Sequence, residues 1–263
     1  MRLGVCGWPV AHSRSPQMHN AALAQLGLHD WRYQRLPLPP QLFEPTVRAL
    51  HQAGFRGVNV TIPHKEAALK LADKASETAQ AIGAANTLTF DHDGSIHADN
   101  TDATGFLSAL NRSAYERSAL VLGAGGSARA VVYALKQAGA DPIRIWNRTH
   151  TRAQALADEF GATAGDEPAD IVVNCTSVGL HDPEDTFKAL PLRADDLGAG
   201  RTVVDLVYRQ GGTLLLNVAR ANGAEVVDGL EILVAQGAAS LERWTGRTAP
   251  DMAMREAVAD IAP

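Results

Sequence analysis

The stretch Ala119-Leu120-Val121-Leu122 runs directly into Gly123-Ala124-Gly125-Gly126-Ser127-Ala128, and no other feature narrows the choice of fold so far. Four consecutive apolar residues without alternation read as a strand buried on both faces. The glycines fit G-x-G-x-x-G/A, with Ala128 in the third place. A helix is expected over 128–138, stopped by Gly139, and a second strand over 143–146. Strand, crossover helix and strand in that length make a parallel βαβ unit. Its glycine turn lets the backbone approach a pyrophosphate, whose charge the helix N-terminus favours. A tight turn without a ligand has the same local pattern; the βαβ spacing around it favours the nucleotide reading.

The residues after the second strand select the nucleotide. A site for NAD usually ends that strand on Asp or Glu, which accepts from the ribose 2′-hydroxyl. Here the chain reads Asn147-Arg148-Thr149. A guanidinium suits a 2′-phosphate and can stack on adenine. Arg148, assisted by Thr149 and Arg152, therefore points to NADP(H) as the cofactor.

The same alternation extends through the chain. Strands are expected at 3–6, 31–36, 57–62, 171–174, 202–206 and 225–227, and a hairpin at 87–90 and 95–98. Helices are expected from Pro16 to Gly27 and over 42–53, with Pro37, Pro39 and Pro40 in a loop. The predicted fold class is α/β. An N-terminal α/β substrate-binding domain spans 1–102 and is completed by C-terminal helices over 235–263. A Rossmann-like NADP-binding domain spans 103–234, with a cleft between the two.

Bulk properties exclude some functions. A formal net charge of −5 disfavours a broad nucleic-acid surface, which needs a basic face. Two cysteines, Cys6 and Cys175, form no zinc or disulfide framework. No metal is expected, and no apolar stretch reaches the ~18 residues of a membrane helix. A cytoplasmic protein, monomer or homodimer, with no nucleic-acid or membrane partner is the expectation.

Three polar clusters mark the first domain: Ser13-Arg14-Ser15-Pro16, Asn59-Val60-Thr61-Ile62-Pro63-His64-Lys65, and Asn86-Thr87 with Asn100-Thr101-Asp102. Hydroxyls at a helix start suit a carboxylate, and Asn, Thr and Asp suit several hydroxyl groups at fixed angles. A cap or turn explains each cluster alone, Ser15 and Asp102 being ordinary helix-cap residues. Their joint occurrence with a nucleotide domain points to a small polyhydroxy acid.

Taken in order, these motifs resemble the shikimate dehydrogenase family. Gly7-Trp8-Pro9-Val10-Ala11-His12-Ser13-Arg14-Ser15-Pro16 with His19-Asn20 is similar to its N-terminal signature. The 59–65 run, Gly83-Ala84-Ala85-Asn86-Thr87 and Asn100-Thr101-Asp102-Ala103-Thr104-Gly105 follow. So do the 123–126 loop, Asn147-Arg148-Thr149, Asn174-Cys175-Thr176-Ser177-Val178-Gly179, Gly229-Leu230 and Gln236-Gly237-Ala238. The resemblance covers essentially the whole chain. It implies NADP-dependent, reversible reduction of 3-dehydroshikimate to shikimate, in the pathway to chorismate and aromatic amino acids.

At matching positions the resemblance implies roles. Ser13 and Ser15 hold the substrate carboxylate. Thr61, Asn86, Asp102 and Gln236 bind ring hydroxyls, Asn59 lines the pocket, and Tyr208 sits near substrate and nicotinamide. Lys65 is the acid/base, with Asp102 anchoring it. Gly123, Ala124, Gly125, Gly126, Ser127, Ala128, Thr176, Ser177, Val207 and Gly229 join Asn147, Arg148, Thr149 and Arg152 on the cofactor. Two departures stand out. Arg209-Gln210-Gly211-Gly212 replaces a segment in which the family often has a proline, and its glycines leave room for a looser loop. Ile232 stands where methionine is common.

Other readings remain open: a quinate/shikimate dehydrogenase preferring NAD, a non-catalytic NADP sensor, and a tetrahydrofolate-linked dehydrogenase. Arg148 counts against the first, the presence of Lys65 and Asp102 against the second, and the small-polyol clusters against the third.

Overall fold

The computed structural model describes residues 1–110 and 112–259. Residues 260–263, part of the expected C-terminal helical segment, lie outside the described residues. The chain forms two compact units. One comprises Met1–Gly105 and the segment from Leu233 onward; the other is Phe106–Ile232.

The first unit is built on strands β1 (Arg2–Gly7), β2 (Arg32–Pro37), β3 (Phe55–Val60), β4 (Lys74–Ala75), β5 (Thr87–Phe90) and β6 (Ile96–Asp99), in the order β2-β1-β3-β5-β6-β4. β1 is parallel to β2 and β3, whereas β3, β5 and β6 form an antiparallel meander. The helices are α1 (Ser15–Gln25), α2 (Pro40–Leu50), α3 (Lys65–Leu71), α4 (Glu77–Ile82) and α5 (Asp102–Ala109). Phe43, Val47 and Leu50 of α2 pack on Phe55, Val58, Leu88 and Phe90 of the sheet. β1 sends the chain to β2 on one side and then to β3 on the other. That reversal opens a crevice at the carboxyl ends of β1 and β3.

Three local expectations shift. Pro40 opens α2 rather than lying in a loop, because the first helical turn needs neither its N–H nor a different φ. The helix ends at Leu50, earlier than the expected 53, and the chain turns through Gly54 at φ +79°. β3 stops at Val60, leaving Thr61 just past the strand, where its N–H donates to Cys6 O at 2.8 Å.

The second unit contains β7 (Ala119–Leu122), β8 (Ile143–Trp146), β9 (Thr163–Ala164), β10 (Ile171–Asn174), β11 (Thr202–Asp205) and β12 (Glu225–Asp228). All pair in parallel in the order β12-β11-β10-β7-β8-β9. The helices α6 (Gly126–Gln137), α7 (His150–Phe160), α8 (Thr186–Ala189) and α9 (Leu214–Ala221) connect them. β7 is fully buried, as its uninterrupted apolar sequence requires, and β10 is fully buried too, Asn174 at its end included. Strand order reverses between β7 and β10, a second switch point. Two helices complete the chain, α10 (Gly229–Thr245) and α11 (Asp251–Ala259). α11 lies on α1, where Arg14 Nη1 donates to Val258 O at 3.0 Å.

Under the first sheet lies a buried aromatic cluster. His19 stacks on Tyr33, ring centroids 4.2 Å apart, with Trp244 at 5.9 Å. Trp244 Nε1 donates to Leu88 O at 3.1 Å. Burial pushes the His19 imidazole down to about 3, the neighbouring Asn59 amide opposing this only in part. Neither ring nitrogen makes a hydrogen bond of normal geometry to the described residues. The unfolded chain takes up this proton near pH 6.5 and the folded one does not until about 3, so stability falls as pH falls between those values. His19 alone is expected to cost about 2 kcal/mol between pH 7 and 5. Urea unfolding across that range should show a flatter pH dependence for His19→Phe than for the wild type; equal slopes would refute the assignment.

Candidate active site

Every polar cluster of the first unit is carried to the same edge of its sheet. The loop after β1 holds Ser13 and Ser15, and the loop after β3 holds Thr61 and Lys65. Asn86 immediately precedes β5, and Asn100, Thr101 and Asp102 follow β6. Register fixes this, because Asn59 pairs with Thr87 and Thr87 with Asp99.

Lys65, the first residue of α3, donates through Nζ to Asp102 Oδ2 at 2.7 Å, and only about a tenth of each side chain's area reaches solvent (10% and 15%). Asp102 opens α5 and is not its cap; its own N–H donates to Asn100 Oδ1 at 3.0 Å. Its second oxygen, Oδ1, accepts from Asn86 Nδ2 at 2.8 Å. Asn86 Nδ2 also lies 3.0 Å from Thr101 Oγ1 and 3.2 Å from Gln236 Oε1. Its Oδ1 accepts from the Thr101 N–H at 2.8 Å. The carboxylate is thus gripped from two sides and retains lone pairs for a ligand hydroxyl.

Asn59 lies one layer deeper. Its Oδ1 accepts from the Tyr33 hydroxyl at 2.8 Å, and its Nδ2 donates to Ser240 Oγ at 2.9 Å and Asn86 O at 3.2 Å. Both amide hydrogens are committed inside the protein, so the structure gives Asn59 a supporting place behind Asn86. Ser240 also meets Thr87 Oγ1 at 2.9 Å and Thr101 Oγ1 at 3.1 Å. Sequence reasoning missed Ser240 and Tyr33. Ser240 had a signal: it lies four residues after Gln236, on one face of a helix. Gln236 itself reaches Asn86 because α5 and α10 approach closely at Gly105. A Cβ there would lie 2.7 Å from Gln236 N.

Ser13 and Ser15 lie together at the start of α1, where the Ser15 N–H also donates to Ser13 Oγ at 3.3 Å. Ser13 Oγ donates to Ser15 Oγ at 3.2 Å, and Arg35 holds Ser13 O through Nε and Nη2 at 3.0 and 2.6 Å. Ser15 is the first residue of the helix, not its cap. The N-cap position is Arg14, with no side-chain cap and no acidic residue in the first turn. Two buried hydroxyls at an uncapped N-terminus suit a carboxylate.

In the second unit, α6 begins at Gly126, two residues earlier than expected, so the glycine loop leads straight into the helix. Gly123 has φ +116°, and a Cβ would sit 3.3 Å from Cys175 C and Thr176 Cγ2. Gly125, in the N-cap position, has open space before it and no side-chain cap. An unfilled cradle at an uncapped helix start fits a pyrophosphate. Ser127 and Ala128 lie in the first turn of α6. Arg148 and Thr149 are exposed between β8 and α7, half-buried Asn147 donates Nδ2 to Thr149 O at 3.0 Å, and Arg152 is exposed in the first turn of α7. Those donors fit a 2′-phosphate, and no carboxylate occupies this stretch to repel one.

Asp205, at the end of β11, organises the neighbouring loops. Its Oδ1 accepts from Asn174 Nδ2 at 2.9 Å and the Val207 N–H at 3.0 Å; its Oδ2 accepts from Thr213 Oγ1 at 2.7 Å. Burial pushes its carboxyl up to about 6, opposed by these three hydrogen bonds. Asn174 Oδ1 in turn accepts from the Thr176 N–H and Oγ1 at 3.0 and 2.7 Å, fixing the turn that leads to exposed Ser177. Gly229 sits where a Cβ would meet Leu206 O at 2.6 Å. Tyr208 is half-buried in the loop after β11. Its glycines notwithstanding, the 206–213 loop is tied to the neighbouring 176–180 loop. Arg209 Nη1 donates to Gly179 O and Leu180 O, each at 3.1 Å, while Gly211 and Gly212 (φ +75° and +81°) make its turn.

Residues 5–88 match the family model for the shikimate dehydrogenase substrate binding domain. Residues 107–177 match that for shikimate / quinate 5-dehydrogenase, and 229–259 that for the shikimate 5′-dehydrogenase C-terminal domain. The chain is 45% identical to the shikimate dehydrogenase (NADP(+)) of Paracoccus denitrificans, over 97% of this chain and 94% of that one. Among solved structures it resembles shikimate 5-dehydrogenase of Thermus thermophilus in complex with NADP(H) and shikimate, with TM-score 0.87, 44% identity and 98% of each chain covered. Shikimate dehydrogenase from Aquifex aeolicus superposes with TM-score 0.91 at 36% identity, over 99% of this chain and 98% of that one. Among the described residues no helix is long and apolar enough to cross a membrane, and no group of three or more His, Cys, Asp or Glu is placed to hold a metal.

The close approach at Gly105 yields a prediction of opposite sign to the usual one. Replacing glycine by alanine inside a helix ordinarily gains up to about 1 kcal/mol. Gly105→Ala should instead destabilise by about 1–3 kcal/mol, because the methyl meets backbone of α10. Urea denaturation gives the sign; a stabilised variant would show that α5 and α10 are not held this closely.

Proposed function

The chain belongs to the shikimate dehydrogenase family, and from that premise we propose that it reversibly reduces 3-dehydroshikimate to shikimate with NADPH, using Lys65 and Asp102 as the acid–base pair. The observation that carries this reading is the buried Lys65–Asp102 contact at 2.7 Å.

NADPH, when bound, supplies the hydride that forms the new C–H bond. Hydride addition to a ketone builds negative charge on its oxygen, which a nearby ammonium stabilises. Lys65 Nζ then gives that oxygen a proton, forming the hydroxyl and leaving a neutral amine that is reprotonated from solvent. In the reverse direction the neutral amine takes the proton back. Asp102 holds Nζ in place and accepts from a neighbouring ring hydroxyl, and Asn86 keeps that carboxylate from turning. Ser13 and Ser15 bind the substrate carboxylate at the start of α1, while Thr61 and Gln236 take ring hydroxyls, and Tyr208 borders the reacting ring. Asn59 acts by holding Asn86 and Ser240.

The 123–128 loop receives the pyrophosphate, with Thr176, Ser177, Val207 and Gly229 on the nicotinamide side. Asn147, Arg148, Thr149 and Arg152 receive the 2′-phosphate of NADP. The absence of a carboxylate after β8 supports NADP over NAD. The substrate domain runs over 1–102 and 235–263 and the NADP domain over 103–234. A cytoplasmic location, which accords with two free cysteines, and a monomeric or homodimeric state belong to the same proposal.

The test is absorbance at the NADPH band with shikimate and either NADP or NAD. NADP reduction should dominate and should fall by about 10³-fold or more in Lys65→Ala, where the general acid–base and the charge are both lost. Arg148→Ala should raise the KM for NADP by about tenfold or more and leave that for NAD nearly unchanged. No shikimate-dependent reduction with either cofactor would refute the activity, and equal rates with both would refute the role of Arg148.

A further inference from the structure

The activity proposed above leaves Arg209 without a part, although its geometry is specific. The 206–213 loop carries Val207 and Tyr208 and contains Gly211 and Gly212, both at positive φ. A segment so rich in glycine loses much conformational freedom on ordering and needs fixed points. Its two ends have them. Leu206 N donates to Asn174 O at 3.0 Å, and Asp205 takes the Val207 N–H at the start and the Thr213 hydroxyl at the end. In the middle, Asn217 Nδ2 donates to Gly211 O at 3.2 Å, and Arg209 makes the tie to the neighbouring loop. Arg209 Nη1 spans to the neighbouring loop, donating to two successive carbonyls, Gly179 O and Leu180 O, while Arg209 O accepts from Gly212 N at 3.1 Å and closes the turn. Tyr208 thus lies between two anchored residues, Val207 and Arg209. A charged donor on two carbonyls is among the stronger hydrogen-bonding arrangements available to a half-buried side chain.

We propose that Arg209 is a positioning residue for the nicotinamide end of NADP, its guanidinium tying the 206–213 loop to the 176–180 loop so that Val207 and Tyr208 hold their places. The inference rests on the NADP reading above. It separates the two ends of one cofactor. The adenosine end depends on the 123–128 loop and Arg148, which Arg209 does not touch; the nicotinamide end depends on the two loops it joins. A merely structural role would weaken both ends or lower the stability of the whole unit.

The experiment measures calorimetric dissociation constants of the wild type, Arg209→Ala and Arg209→Lys for NADP and for adenosine 2′,5′-bisphosphate, which carries only the adenosine end, together with kcat and KM. Arg209→Ala should weaken NADP and lower kcat, each by about tenfold, for the loss of two charge-assisted hydrogen bonds. Its affinity for the bisphosphate should stay within about twofold of wild type, and Arg209→Lys should fall between, since an ammonium reaches carbonyls without the fixed fork. Unchanged NADP affinity and kcat in Arg209→Ala would overturn the proposal, and so would equal weakening of NADP and the bisphosphate. A wild type that fails to bind the bisphosphate would remove the NADP reading itself, and the proposal with it.

Discussion

The buried contact between Lys65 and Asp102 is the interaction on which the first unit depends. Taking an ammonium and a carboxylate out of water costs several kcal/mol per ion unless each is paired and its remaining hydrogen-bonding capacity is used. The fold meets that condition with Asn86 on the second carboxylate oxygen, Thr101 and Gln236 on Asn86, and Asn59 and Ser240 behind them. The pair is therefore the reason for the polar layer around it, and the proposed acid–base role draws on the same layer. A buried network is worth having only when every member is satisfied. Here the members come from β3, α3, the residue before β5, the start of α5 and α10, so the network ties several elements of the first unit together.

Two switch points account for where the polar clusters and the glycine loop lie. Parallel strands deliver their loops at their carboxyl ends, and a reversal of strand order leaves a crevice between them. In the first unit the reversal between β1 and β3 brings the paired serines and Lys65 to one edge. In the second, the reversal between β7 and β10 sets the glycine loop beside Thr176, near enough that a Cβ on Gly123 would touch it. Asp205 then joins the loops after β10 and β11 through a single carboxylate.

Much of this was legible in the sequence because it is local. The apolar run before Gly123, the glycine spacing and the cationic residues after β8 each announce themselves within ten residues. Lys65 and Asp102 were legible only through resemblance, since nothing in their own segments tells a solvated lysine from a buried one. Tyr33, Ser240 and the supporting place of Asn59 were not legible. Their bonds join residues 26 and 181 positions apart, and Asn59 looks like a pocket residue until its two hydrogens are traced. The short helices α3, α4 and α5 also escaped notice, being about two turns or fewer and defined by what they pack against. The glycines at 211 and 212 suggested a loose loop, because a positive φ is visible in sequence and the reach of Arg209 across to Gly179 is not.

The central claim is that Lys65 and Asp102 work as one unit, and a double-mutant cycle on kcat/KM tests it most directly. The measurement compares Lys65→Ala, Asp102→Ala and the double variant with the wild type, using shikimate and NADP. If the two act together, the second substitution costs little once the first is made, and the double variant is about as slow as the worse single one. If the losses simply multiply, the residues contribute independently, and the account of a coupled acid–base pair is wrong.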